Sequence, residues 1–356
     1  MSLMPMCFIA ILLSILGLSL GLWSPSIVTL EGTHQWPTTI DKKLYEDLFT
    51  YAHLVDIAYC VSNIGKIDKP FQCPLNCSES FPNMTLSYQW AFDNSVGGYI
   101  SSTYGDIFQY KEEEHNDEVK KIIVSLRGTH SLHDSMIDVD TNMVDYKNNG
   151  NSLPDCEKCA VHEGFMSVYE KTLKNIESIL DSEIEESPFC EVYFMGHSLG
   201  GSVALLLALH FLDKGYDNLK VVTFGQPLVG NKEFVLWADQ VLQSNSSIDS
   251  SKSNRKYFRV IHKHDIVTVI PKISENIKEY AQFDNQIYLN ISSDTIEPVR
   301  NEVVDCKSGK NLQCISGDLK EITSKFNYYK NHNTYFRKLG LCSFKRFIDG
   351  NEIKIF

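Results

Sequence analysis

The segment Cys190–Leu212, CEVYFMGHSLGGSVALLLALHFL, constrains the fold more than any other stretch of this 356-residue chain. Val192, Tyr193, Phe194 and Met195 read as a buried strand, and Ser202 to Leu212 as an apolar helix. Only Gly196-His197-Ser198-Leu199-Gly200-Gly201 separates them, so the chain must pass from strand to helix within a few residues. Such a turn holds Ser198 in a strained backbone conformation with its hydroxyl clear of the sheet. It needs glycines on both sides, because a Cβ there would meet the neighbouring strand or helix. The start of the following helix supplies free N–H groups and the positive end of a dipole, both suited to a developing oxyanion. A bare Gly-x-Ser-x-Gly also occurs in ordinary surface turns. The strand before this one, the helix after it and the additional Gly201 argue against that reading.

The rest of the chain alternates in the same way. Asp41 to Val61 reads as a helix with Leu44, Leu48, Tyr51, Ala52 and Val55 on one face. Residues 62–95 read as loop, and Gly98–Tyr110 and Lys120–Leu126 as strands around an acidic turn at Glu112–Glu118. A long helix follows at Gly164–Glu186, then the Ser198 unit, a strand at Leu219–Phe224 and a helix near Glu233–Leu242. The strand Lys256–Ile261 leads into His262-Lys263-His264-Asp265, and a cysteine-bearing hairpin region and a last helix near Leu319–Leu339 finish the chain. The expectation is an α/β fold: a mostly parallel central sheet flanked by helices, in one domain. In such sheets chemistry gathers at the carboxyl ends of the strands.

A serine hydroxyl attacks well only if a base takes its proton, and a histidine base needs an acid to fix its tautomer. In strand–turn–helix hydrolases the chain order is Ser, then Asp or Glu, then His. Beyond the strand Lys256–Ile261, Asp265 sits where a strand end delivers a carboxylate; its ordinary reading is a turn cap. Asp213, Asp217, Asp239 and Asp249 fall at helix ends, in a helix or in a polar loop, and Asp284, Asp294, Asp305 and Asp318 in irregular sequence. Past Asp265 the chain has one histidine, His332. His262 and His264 form a His-x-His pair without an evident third ligand, so they read as structural or pocket-lining, and His197 is wrongly oriented to serve as base. For the oxyanion, one donor is the N–H of Leu199. The best second source is the turn Arg127-Gly128-Thr129, with Thr129 offering both its N–H and its hydroxyl.

Residues 7–22 are almost wholly apolar and suit a secretory leader, with cleavage after about Gly21; an uncleaved anchor is the alternative, since no Lys or Arg precedes the run. That gives a leader at 1–21 and a catalytic domain at 22–356. Ten cysteines fit an oxidising compartment. Cys73/Cys77, Cys156/Cys159 and Cys306/Cys314 could close small loops, Cys60 and Cys342 could tie the two ends together, and Cys190 reads as a core thiol. A metal at Cys156-x-x-Cys159 has no second ligand pair to support it. Sequons at Asn76, Asn83, Asn245 and Asn290 suit a secreted surface. The net charge of −12 argues against a nucleic-acid partner.

Val124–Ser131 (VSLRGTHS), Val161–Phe165 (VHEGF), GHSLGG, Thr223–Asn231 (TFGQPLVGN), His264–Val267 (HDIV) and His332 occur in this order. The set resembles the fungal class 3 lipases, the filamentous-fungal triacylglycerol lipases, over roughly residues 45–345. The resemblance implies an α/β-hydrolase fold, a triad of Ser198, Asp265 and His332, oxyanion donors Thr129 and Leu199, and catalysis without a metal or other cofactor. It also implies the pairs Cys60–Cys342, Cys73–Cys77 and Cys306–Cys314. It places a lid at His130–Asp138, where Leu132, Met136 and Ile137 are the apolar residues and tryptophan is missing. The expected function is therefore hydrolysis of carboxylic esters, foremost acylglycerols at a lipid–water interface. An esterase or phospholipase using the same residues, and a non-catalytic lipid-binding protein on a hydrolase scaffold, are the alternatives. The insertion around Cys156–Cys159 and the Ser244–Asn254 loop depart from the compact fungal pattern.

Overall fold

In chain order the elements are β1 (Thr38–Thr39), α1 (Lys42–Ala58), α2 (Cys77–Ser80), β2 (Thr85–Ala91), β3 (Gly97–Tyr104), β4 (Lys120–Arg127), β5 (Met143–Asp145), β6 (Ala160–His162), α3 (Glu163–Glu185), β7 (Glu191–His197), α4 (Leu199–Asp213), β8 (Leu219–Phe224), α5 (Lys232–Val241), β9 (Tyr257–His262), β10 (Ile287–Leu289) and β11 (Val303–Asp305). These come from a computed structural model. It describes residues 36–92, 95–105, 107, 119–129, 141–149, 151–244, 255–271, 280–284, 286–292, 294–307, 309, 311–314 and 330–342. The leader at 1–21, the lid residues Leu132, Met136 and Ile137, the sequon Asn245 and the helix expected over 319–329 lie outside them.

Nine strands form the main sheet among the described residues, in the order β1-β11-β10-β9-β8-β7-β4-β3-β2. The five central strands, β4, β7, β8, β9 and β10, run parallel. Antiparallel strands flank them on both sides: β3 and β2 beyond β4, β11 and β1 beyond β10. Strand β4 is buried along its whole length. This is what a strand covered on both faces by helices requires, and it explains why Ile122, Ile123, Val124 and Leu126 are apolar on both faces of its centre.

Alternate residues of these strands enter two different cores. Ile122, Val124, Val192, Phe194 and Val221 face the core built with α3, α4 and α5. Ile123, Tyr193, Met195, Val222 and Phe224 face the one built with α1. Helix α4 is buried on nearly every side, so it carries apolar residues all round rather than along one stripe. It packs on β4, β7 and β8 beneath it and on α3 above. Helix α1 begins where the Asp41 carboxylate accepts from the Leu44 N–H at 2.8 Å.

The structure corrects three local readings. Residues 62–95, read as loop, contain β2, which among the described residues is an edge strand paired with β3 alone and broken by an irregularity between Leu86 and Tyr88. A one-sided edge strand lacks the long apolar run that marks central strands. Asp305, placed in irregular sequence, lies on β11, where it accepts from Arg255 at 2.9 Å. Asn333 to Leu339, expected to be helical, instead close a turn through Leu339 N–H to Asn333 O at 2.8 Å and a Thr334–Lys338 bridge.

Disulfides join Cys60–Cys342, Cys73–Cys77, Cys156–Cys159 and Cys306–Cys314. Cys190 is buried with a free thiol. Asn76, Asn83 and Asn290 are exposed. Among the described residues no helix is long and apolar enough to cross a membrane.

Candidate active site

Thr129, Ser198, Leu199 and Asp265 follow the carboxyl ends of the parallel strands β4, β7 and β9, whereas His332 comes from the segment 330–342 far beyond β11. Strand β7 ends at His197, and Ser198 follows with φ 58° and ψ −132°, a left-handed conformation strained for any residue but glycine. Its N–H is held by Phe224 O at 2.9 Å, so β8 supports the strained turn. A Cβ on Gly196 would stand 2.4 Å from Gly200 O, and one on Gly200 would stand 2.7 Å from Leu126 O. The turn closes this tightly because strand, helix and neighbouring strand converge there, which is why the flanking positions are glycine.

Asp265 follows β9 and does two things at once. Its Oδ1 accepts from Val267 N–H at 2.9 Å, capping the short helical turn Ile266–Val269. Its Oδ2 accepts from His332 Nδ1 at 2.8 Å and from Tyr335 Oη at 2.5 Å. The cap and the contact with histidine therefore coexist on separate oxygens of one buried carboxylate. Burial alone would raise its pKa; the His332 ring, the Tyr335 hydroxyl and the Val267 N–H hold it below the usual carboxylate value.

Because Nδ1–H donates to the Asp265 carboxylate, the neutral His332 ring presents a bare Nε2. That Nε2 and Ser198 Oγ are both buried, and neither has a hydrogen-bond partner among the described residues. Other buried polar atoms are left without a partner too, Trp90 Nε1 and Ser101 Oγ among them; this pair is set apart by the strained Ser198 turn and the Asp265–His332 contact beside it. The turn after β4 closes the third side: a Cβ on Gly128 would lie 2.8 Å from Ser198 Cβ and 3.3 Å from its Oγ. Thr129 next to it is buried. Leu199 N–H occupies the first position of α4, which has no acceptor within the helix.

Three residues that sequence reasoning did not single out complete the arrangement. Buried Arg127 donates from Nε to Val61 O at 2.8 Å and from Nη1 to Gly128 O at 2.9 Å, fixing the peptide that carries the Thr129 N–H. Burial lowers its pKa to about 10, with Tyr59 acting the other way. Tyr335 supports Asp265, and Tyr59 supports His197, its Oη meeting Nδ1 at 2.5 Å. Their spacings, Arg127 before Gly128 and Tyr335 three residues past His332, were visible, but nothing in one sequence says where such side chains point.

His197 lies within the turn, yet its ring is turned away from the serine hydroxyl. Its Nε2 donates to the main-chain oxygen of His332 at 2.8 Å, so Nδ1 is the acceptor for Tyr59. Burial, with His332 beside it, pushes its pKa down to about 3. His262 is buried at the end of β9, and its Nδ1 accepts from the His264 N–H at 3.2 Å. Among the described residues, three potential metal ligands converge at Cys60, Cys73 and Cys342, and all three sulfurs are already in disulfides. A cavity of about 330 Å³ bordered by Glu191, Asp217, Lys220 and Arg255 opens at the opposite, amino-terminal end of the strands, away from this chemistry.

Sheet order and the strand–Ser198–helix turn are those of an α/β-hydrolase fold, and Asp265 meets His332 at 2.8 Å beside that turn. Residues 123–275 match the family described as Lipase (class 3). Lipase A of Sodiomyces alcalophilus is 29% identical over 331 residues, covering 86% of this chain and 78% of that one. The secreted mono- and diacylglycerol lipase 2 of Gibberella zeae is 30% identical over 300 residues, covering 79% and 70%. The crystal structure of the Lip2 lipase from Yarrowia lipolytica superposes with a TM-score of 0.71 at 31% identity, covering 86% of this chain and 98% of that one. The chain belongs to the class 3 lipase family and is a hydrolase of carboxylic esters.

Proposed function

We propose that this protein hydrolyses acylglycerols, triacylglycerols among them, by an acyl-enzyme mechanism using Ser198, Asp265 and His332. Ser198 Oγ attacks the ester carbonyl while His332 Nε2 takes its proton, and Asp265 stabilises the imidazolium that results. The carbonyl oxygen becomes an oxyanion held by the N–H groups of Leu199 and Thr129. Collapse expels the alcohol, which leaves with the proton from His332. Water then attacks the acyl-serine by the same route, releasing a fatty acid and restoring the serine. The observation that carries this reading is the pair of buried, unpartnered atoms, Ser198 Oγ and His332 Nε2, beside an Asp265–His332 contact of 2.8 Å. A relative described as a mono- and diacylglycerol lipase supports the acylglycerol class.

Ser198→Ala is expected to lower turnover at least about a thousandfold and to abolish covalent labelling by a fluorophosphonate, with the thermal midpoint retained. Substantial hydrolysis by the variant sinks the assignment. Tri-, di- and monoglycerides of one acyl chain, assayed above and below their solubility limits, then separate a lipase from an esterase of soluble esters. We further propose that the enzyme works outside the cell or in the secretory lumen, after removal of residues 1–21. Four disulfides and the secreted relative support this reading. The remainder, 22–356, is proposed as one hydrolase domain.

A further inference from the structure

The segment 330–342 carries His332, and the end of α1 holds it in three places. Cys60 is bonded to Cys342. Tyr59 meets His197, which in turn donates to His332 O. The third contact is Asp56, a carboxylate fully buried on α1. Neither of its oxygens needs to serve its own helix. Oδ2 accepts from Arg337 Nε at 3.0 Å and Oδ1 from Gly340 N–H at 2.8 Å. A charge in such a place costs several kcal/mol unless it is paired and hydrogen-bonded. Burial pushes its pKa up to about 6, even though the Arg337 guanidinium and the Gly340 N–H pull it down.

Between His332 and these grips the chain is not slack. Leu339 N–H donates to Asn333 O at 2.8 Å and Tyr335 N–H to Arg337 O at 2.9 Å, so residues 333–339 form one closed block. His332 stands at its start, Tyr335 in its middle donates to Asp265, and Arg337 and Gly340 stand at its far end. A shift at that far end therefore moves the Tyr335 hydroxyl and the His332 ring together. The disulfide, the His197 contact and the bonds to Asp265 hold the block at other points, and the Asp56 bonds to Arg337 and Gly340 add a charge-assisted hold at its far end.

We propose that Asp56, paired with Arg337, is a positioning residue for catalysis: it sets the seat of the 332–340 block on α1 and thereby the approach of His332 Nε2 to Ser198. The inference rests on His332 being the general base.

The test compares Asp56→Asn, Arg337→Gln and Arg337→Lys in the full chain. Competent sites are counted by fluorophosphonate titration; labelling rate, kcat and KM on a soluble p-nitrophenyl ester are then expressed per competent site. Misplacement by a fraction of an ångström is expected to lower the per-site labelling rate and kcat about tenfold or more, with KM unchanged. Arg337→Lys should lose less than Arg337→Gln, and the double variant Asp56→Asn/Arg337→Gln should be no slower than the slower single one. Wild-type rates per site, with only fewer competent sites or a lower thermal midpoint, overturn the proposal. If Asp56→Asn does not fold, Arg337→Gln carries the test, since its side chain is 30% exposed. His332→Ala separates the two readings. Normal labelling by that variant removes the base assignment and this inference with it. A dead His332→Ala beside a wild-type per-site rate in Asp56→Asn and Arg337→Gln removes the positioning role alone.

Discussion

The serine and the histidine are held in place by opposite means. Ser198 is fixed by its own neighbours: Gly196 against Gly200, the strand before it, the helix after it, and one bond to the adjacent strand. His332 is fixed from far away along the chain. Asp265 lies 67 residues off, His197 135, and the Asp56–Arg337 and Cys60–Cys342 contacts span 281 and 282 residues. Local geometry leaves a residue no alternative short of rebuilding the turn. Long-range contacts are several and share the placement among them, so removing one should degrade the site by degrees. The Ser198 turn should fail all at once and the placement of His332 in steps.

The largest expected effect tests the first half of that statement. In Gly196→Val a branched side chain would have to displace the Gly200 backbone, 2.4 Å from its Cβ. Hydrolysis should fall to background, with a stability loss on the order of 3 kcal/mol or more. A variant that still turns over at a tenth of the wild-type rate would show that the turn can relax, and would break the contrast.

The double variant Cys60→Ser/Cys342→Ser comes next. It should lose about 2–5 kcal/mol of stability, read from denaturant midpoints, while keeping measurable activity well below its melting range. The matched variant Cys73→Ser/Cys77→Ser removes a bridge of separation 4 rather than 282 and should lose less. Equal losses would mean that the long tie does not constrain the unfolded chain as its span implies.

The smallest effect concerns the residue between the two regions. Burial keeps the His197 pKa at about 3, whereas the unfolded chain titrates near 6.5. Between those values the unfolded state binds the extra proton, so this contribution is complete above pH ~6.5 and falls as pH drops toward ~3. Asp56, raised to about 6, acts in the opposite direction, so the comparison must be made against a variant. In His197→Asn, stability measured over this range should show a slope flatter by up to about 1.4 kcal/mol per pH unit. An unchanged slope would show that His197 is not kept neutral by the fold.

What was legible in the sequence follows the same division. The strand–Ser198–helix unit could be read because it is one continuous stretch with a period change at the glycines. Strands β7 and β8 and helix α5 were placed within a residue or two for that reason. Strand β2 was missed because an edge strand carries no continuous apolar run, and β10 and β11 because three residues are too few to show a period. The turn at 333–339 was taken for helix because apolar spacing there, Tyr335, Phe336 and Leu339, comes from burial against α1 rather than from helical geometry.

Among the site residues, Ser198, Asp265 and His332 could be proposed from residue type, chain order and strand ends. Arg127, Tyr335, Tyr59 and Asp56 could not, because their roles depend on which side chain faces them across the fold. The sequence by itself determined the strand–Ser198–helix turn and the candidates for nucleophile, acid and base, since these depend on neighbours a few residues away. The tertiary structure alone decided that Asp265 both caps a turn and meets His332, that His197 donates to the main chain of His332, and that a buried aspartate on α1 bonds Arg337 and Gly340. Those depend on through-space contacts between distant parts of the chain, which no local pattern records.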